Sequence, residues 1–167
     1  MPSHLSVPLP SPTLINDTFQ LPERTKVHCD GLRVIVVDDN SVYLSIVTRM
    51  LAKYFPNEVK YTYATSSPLC ALEWLSLYSY DLILLDIDMP ILTGIETTLE
   101  IRNPYSRFQI LHSNRTIPII AVTTNALDEH RRYYTEIGMN ACVAKPVTLT
   151  ELRRVLSRVT GISTISQ

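Results

Sequence analysis

The sequence predicts an α/β fold, a doubly wound parallel sheet built from five βα repeats. Two observations predict it. Short β-branched or apolar runs alternate with segments whose apolar residues recur at helical spacing. Cap and turn residues stand at the joints between them. Regular alternation of strands and helices implies a parallel sheet covered by helices on both faces, joined by right-handed crossovers.

The elements follow in order. RVIVV at 33–37 is the first strand, β-branched enough to be buried on both faces. A helix is predicted from about Asn40 through SVYLSIVTRMLAKY, with Val42, Ile46, Val47, Met50, Leu51 and Tyr54 on its apolar face. Pro56 and Asn57 break it. VKYTYA at 59–64 alternates like a more exposed strand. Ser67 as N-cap and Pro68 at the first helical position open the second helix, which carries Leu72, Trp74 and Leu75 inward. LILLDIDMP at 82–90 contains the third strand. Gly94 precedes a third helix through about Arg102. Residues 103–116 form an added loop with few local signals. IPIIAV at 117–122 is the fourth strand. Asn125 is predicted to cap a helix to about Ile137, which Gly138 ends. ACVA at 141–144 is the fifth strand. Thr148 and Glu151 form a capping box for the last helix, with Leu152, Val155, Leu156 and Val159 inward.

Composition bounds the function. The 167 residues suit one domain with a core of its own. A net charge of −1 gives no general attraction to nucleic acid or to an anionic membrane. No apolar run approaches the ~18 residues of a membrane span. Cys29, Cys70 and Cys142 are odd in number and contain no CxxC, which argues against disulfides or zinc and for a reducing compartment. The expected location is the cytoplasm, with the nucleus also open. Residues 1–30 hold five of the eleven prolines with scattered Ser and Thr and show no period, so a disordered tail is expected there. That stretch lacks the basic start and apolar run of a signal peptide, and the arginines of a transit peptide. The folded domain is expected at 31–161 and a short tail at 162–167.

The strand ends carry the chemistry, because open α/β sheets bind ligands at the carboxyl edge. Strand one ends in Asp38-Asp39, strand three in Asp86, strand four in Thr123-Thr124, and strand five in Lys145-Pro146. A carboxylate at the end of a buried strand costs several kcal/mol unless something compensates it. Three carboxylates on one edge repel, and each raises the others' pKa unless a cation intervenes. Mg²⁺, which accepts one or two carboxylates and keeps several waters, answers this, with Lys145 as a further positive charge.

VIVVDDN, LILLDIDMP, IIAVTTNA and VAKPVT resemble the four signature strings of the receiver domain of two-component response regulators, in that order and at matching intervals over about residues 32–160. The resemblance implies a flavodoxin-like sheet of order 2-1-3-4-5. It implies that Asp86 is phosphorylated, that Asp38 and Asp39 hold Mg²⁺ together with Asp86, and that Asp88 lends its backbone carbonyl. It also implies that Thr123 bonds the phosphoryl group and that Lys145, before a cis-proline at Pro146, pairs with it. The chain would then be a phosphoacceptor in a His-to-Asp phosphorelay, not an enzyme, though it takes part in its own phosphorylation and dephosphorylation. The partner would be a histidine-phosphotransfer protein or hybrid sensor kinase, with neither nucleic acid nor membrane.

Three positions depart from the family pattern. Cys142 replaces an aromatic that usually follows the threonine inward, so either the aromatic half of the switch is missing or Tyr133 or Tyr134 supplies that bulk. Thr124 stands where a small alanine is common, and Thr93 replaces a common aspartate. Cys142 is read as a small buried apolar residue rather than a redox sensor. Two other classes compete. One is a pseudo-receiver that binds without switching. The other is a haloacid-dehalogenase-type phosphatase, whose D-x-D string Asp86 and Asp88 approach. Only ISTISQ follows Gly161, so a stand-alone receiver is expected, similar to small fungal stress-response regulators. Val42, Tyr43 and Leu44 are too many adjacent apolar residues for one buried stripe. Tyr43 is therefore expected to be exposed as an anchor for a helical partner.

Overall fold

A computed structural model describes residues 31–161. The tails expected at 1–30 and 162–167 lie outside the described residues. The elements run β1 (Leu32–Val37), α1 (Ser41–Tyr54), β2 (Val59–Thr65), α2 (Pro68–Leu77), β3 (Leu82–Asp86), α3 (Gly94–Arg102), β4 (Ile119–Thr123), α4 (Asp128–Glu136), β5 (Ala141–Ala144) and α5 (Leu149–Thr160). The five strands form one parallel sheet in the order β2-β1-β3-β4-β5. Both the (βα)5 string and the strand order agree with the sequence.

The two faces of the sheet divide the apolar residues by parity. Val34 and Val36 of β1 face one core with Val47 and Leu51 of α1 and Leu152, Val155 and Leu156 of α5. Ile35 and Val37 face the other core with Leu72 and Leu75 of α2, Ile101 of α3 and Tyr134 of α4. Every residue of β3 and β4 is buried, as continuous apolar strands in a doubly covered sheet require.

Local chemistry sets most helix starts as expected. The Ser67 hydroxyl accepts from the Cys70 N–H with Pro68 at the first helical position. The Thr148 hydroxyl accepts from the Glu151 N–H, which is one half of the expected capping box. Thr93 makes a full capping box with Glu96, which accounts for its replacing an aspartate.

Three expectations need correction. α4 begins at Asp128 with Leu127 in the cap position and no side-chain cap, not at Asn125. The Asn125 N–H instead donates to the Thr123 hydroxyl at 3.0 Å, which ties the segment to the end of β4. Asp128 and Glu129 complement the dipole of the first turn in place of a capping side chain. The apolar face of α1 is narrower than its periodicity implied: Val47 and Leu51 are buried, while Val42 is 64% exposed and Ile46 45%. The 103–116 loop is a built strut. Buried Asn114 accepts from the Tyr80 N–H and donates to the Leu75 and Tyr78 carbonyls at 2.7–2.9 Å. The Arg102 guanidinium donates to the carbonyls of Arg115, Ile117 and Gly138.

Candidate functional site

Register brings the site together. Val37 pairs with Leu85, so the next residues, Asp38 and Asp86, leave β1 and β3 side by side. Asp86 pairs with Val122, and Thr123 pairs with Ala144, which places Lys145 just beyond the end of β5. A slip of one residue in either strand would send these side chains to the opposite face.

Lys145 Nζ lies 2.8 Å from Asp38 Oδ2 and 3.0 Å from Asp86 Oδ1. Both carboxylates are buried. Asp38 Oδ1 accepts from the Asn40 N–H at 2.9 Å, and the Asp88 N–H approaches Asp86 Oδ1 at 3.4 Å. Burial raises the Asp86 pKa above the ordinary 3.8; the Lys145 ammonium opposes that rise, and the Asp38 charge adds to it. Burial pulls the Lys145 ammonium down, but its bonds to Asp38 and Asp86 outweigh this and leave its pKa raised. The opening difficulty of a carboxylate at a buried strand end is thus met in part by Lys145.

It is not met in full. One carboxylate oxygen from each of Asp38, Asp39 and Asp86 lies within 4.8 Å of the other two, and Asp39 is exposed. The Lys145 ammonium pairs with two of these three carboxylates. A cluster of hard oxygens, two buried and one open to water, with acid in excess, fits a divalent cation such as Mg²⁺. Asp38, Asp39 and Asp86 could hold it. The Asp88 side chain is exposed.

Thr123 is fully buried, and its hydroxyl accepts from the Asn125 N–H. The Tyr134 phenol neighbours it: burial pushes that phenol's pKa up, and the Thr123 hydroxyl pulls it partway back. Tyr134 is 4% exposed and Tyr133 45%. Of the two tyrosines that sequence left open, Tyr134 therefore supplies the bulk beside Cys142. Cys142 is buried in the same core, and burial raises its thiol pKa, with Arg131 opposing, which fits an inert packing residue. Thr124 is exposed at the mouth of the site. The Lys145-Pro146 peptide bond is cis, as the resemblance implied.

Two further residues shape the site without a sequence signal that isolated their part. Gly94 opens α3 directly against β3. A Cβ there would collide with the backbone carbonyl oxygen of Asp86. Tyr43 was expected at the surface. It is instead half-buried against the core, its ring centroid 4.6 Å from Lys145 Nζ. Val42 and Ile46 are exposed near the start of that helix, and Tyr54 at its end.

Comparison with known proteins agrees with this geometry. The family model described as "Response regulator receiver domain" matches residues 34–157. Transcription factor SKN7 of Saccharomyces cerevisiae is 34% identical over 128 residues, 77% of this chain and 18% of that protein. Stress response regulator protein 1 of Clavispora lusitaniae is 36% identical over 113 residues, 68% of this chain and 55% of that protein. The chain thus spans well under two thirds of the length of either relative. The receiver domain of a Pseudomonas aeruginosa sensor histidine kinase is 32% identical with a TM-score of 0.65, covering 79% of this chain and 99% of that one. That structure holds a magnesium ion in its active-site cleft. At 22% identity and a TM-score of 0.66, the receiver domain of a Saccharomyces cerevisiae response regulator shares the fold, covering 81% of this chain and 93% of that one. It was crystallised with a histidine phosphotransfer protein. Strand order, the edge where the acids gather and the family match all agree: this chain belongs to the response regulator receiver domains of two-component phosphorelay signalling.

Proposed function

We propose that this chain is a phosphoacceptor, phosphorylated on Asp86 by a phosphohistidine of a histidine-phosphotransfer protein or hybrid sensor kinase. The observation that carries the reading is Lys145 bridging Asp38 and Asp86 at the carboxyl edge, with Asp39 and Thr123 beside them. An Asp86 oxygen attacks phosphorus, the P–O bond forms, the P–N bond breaks, and the leaving imidazole takes a proton. Mg²⁺, held by Asp38, Asp39, Asp86 and the Asp88 carbonyl, would neutralise charge on the transferring oxygens. Lys145 keeps Asp86 in place and pairs with the new phosphoryl group. Positioning does most of the remaining work.

The phosphoryl group draws the Thr123 hydroxyl toward it. Tyr134, buried and electrostatically coupled to that hydroxyl, passes the movement to α4. This gives the chain a two-state switch in spite of Cys142. The chain is thus a signalling switch rather than an enzyme, and the likeness to a stress response regulator supports a stress-response role. No helix among the described residues is long and apolar enough to cross a membrane. Val42 and Ile46, exposed beside the site on α1, take the docking part first expected of Tyr43.

Incubation with acetyl phosphate and Mg²⁺ should place one acid-labile phosphate on Asp86. Label persisting in Asp86→Asn would remove the assignment.

A further inference from the structure

We propose that the Tyr43 ring is the positioning element for Lys145, holding its ammonium between Asp38 and Asp86. Lys145 carries its charge on a flexible four-carbon stem, which must be fixed before the charge is useful. Two carboxylates bind the ammonium, at 2.8 and 3.0 Å. The ring centroid lies 4.6 Å from it, within the ~6 Å reach of a cation–π contact. The ammonium is almost enclosed, with 11% of the Lys145 side chain exposed, so the attraction is little screened by water.

The ring is itself held in place. The Asn40 side chain accepts from the Val42 and Tyr43 N–H groups at 3.0 and 3.3 Å, fixing the first turn of α1. The Asn40 N–H in turn donates to Asp38 Oδ1. Asp38, Asn40, Tyr43 and Lys145 therefore close a circuit, in which the same carboxylate that binds the ammonium sets the start of the helix that carries the ring. Tyr43 also packs on the core, which steadies the ring. A π face suits the task better than a third carboxylate. It attracts the ammonium without adding negative charge beside Asp86, and it does not compete with the acids for a metal. It is also tolerant of direction, so Lys145 can shift toward a phosphoryl group and keep the contact.

The effect on rate rests on the phosphoacceptor reading; the placement of Lys145 does not. Two measurements on the full chain keep them apart. The first is the NMR signal of the Lys145 ε-methylene, assigned by its loss in Lys145→Arg. The ring current should shift it upfield in the native chain and in Tyr43→Phe, and the shift should vanish in Tyr43→Leu. The second is the initial rate of labelling by acetyl phosphate. Tyr43→Phe should stay within about two-fold, and Tyr43→Leu should fall roughly five- to thirty-fold. Phenylalanines carrying one, two and three fluorines at position 43 keep the packing and weaken only the π face, so the rate should fall stepwise. An unshifted Lys145 signal in the native chain, or a flat rate across the fluorinated series, overturns the proposal. A native chain that takes no label but shows the Lys145 shift and its loss in Tyr43→Leu retains the placement and removes the phosphoacceptor reading.

Discussion

Two buried polar networks, the strand-end site and the strut at 103–116, follow opposite rules. In the strut, Asn114 and Arg102 spend their donors on backbone carbonyls, and Asn114 accepts the Tyr80 N–H in return. Such a network is closed and adds rigidity. In the site, three carboxylates gather while the Lys145 ammonium pairs with two of them, and Asp86 is held with a raised pKa. That network is open, with capacity left for a cation or a phosphoryl group. A satisfied network marks structure here, and an unbalanced one marks exchange.

The comparison breaks most directly at Asp86. Asp86→Asn should abolish phosphorylation yet leave the fold intact. Because the folded state holds the Asp86 proton to higher pH than the unfolded chain does, native stability falls as pH rises through the window above 3.8. The asparagine removes that loss. In chelator, the variant should melt above the native chain at pH 7, and the gap should close as pH falls toward the ordinary carboxylate value. A variant that melts lower at pH 7 would mean that the site is closed like the strut.

The strut should answer in stability alone. Asn114→Ala strands the buried Tyr80 N–H and the Tyr78 carbonyl, at a cost of about 3 kcal/mol in denaturant unfolding. Labelling per folded molecule should not change. A change there would couple the two networks. Gly94→Ala probes the border between them. Its Cβ must displace the Asp86 backbone, so it should cost about 1–3 kcal/mol and also slow labelling, as only a site residue should.

The open network should respond to metal where the closed one does not. Mg²⁺ at 100 times its dissociation constant should stabilise the native chain by about 2.7 kcal/mol. Asp39→Ala should lose most of that gain, with thermal melts at graded Mg²⁺ as the measure. The smallest effect is expected at Tyr134→Phe, which keeps the ring and removes the phenol oxygen coupled to Thr123. It should cost about 1 kcal/mol or less and leave labelling intact. The phosphorylation-linked chemical-shift changes in α4 should shrink. Undiminished changes there would exclude Tyr134 from the switch.

Sequence alone determined the sheet, the strand ends and the acids, hydroxyl and ammonium that meet there. Strand periodicity and strand order decide which residues leave the carboxyl edge, so Asp38, Asp39, Asp86, Thr123 and Lys145 were legible as one set before any distance was known. The cap residues Ser67 and Thr148 were legible for a similar reason, since their partners lie three residues away. What only the tertiary structure decided depends on contacts distant in sequence. Asn114 is explained by backbone groups 34 to 39 residues away. The start of α4 depends on Asn125 being held by Thr123 rather than capping. Tyr43 shows the limit most clearly. Helical spacing made it one apolar residue too many, a candidate for the surface. The ring turned inward because α1 begins three residues after Asp38 and brings it over Lys145, 102 positions along the chain, where a half-buried aromatic gains both apolar packing and a cation.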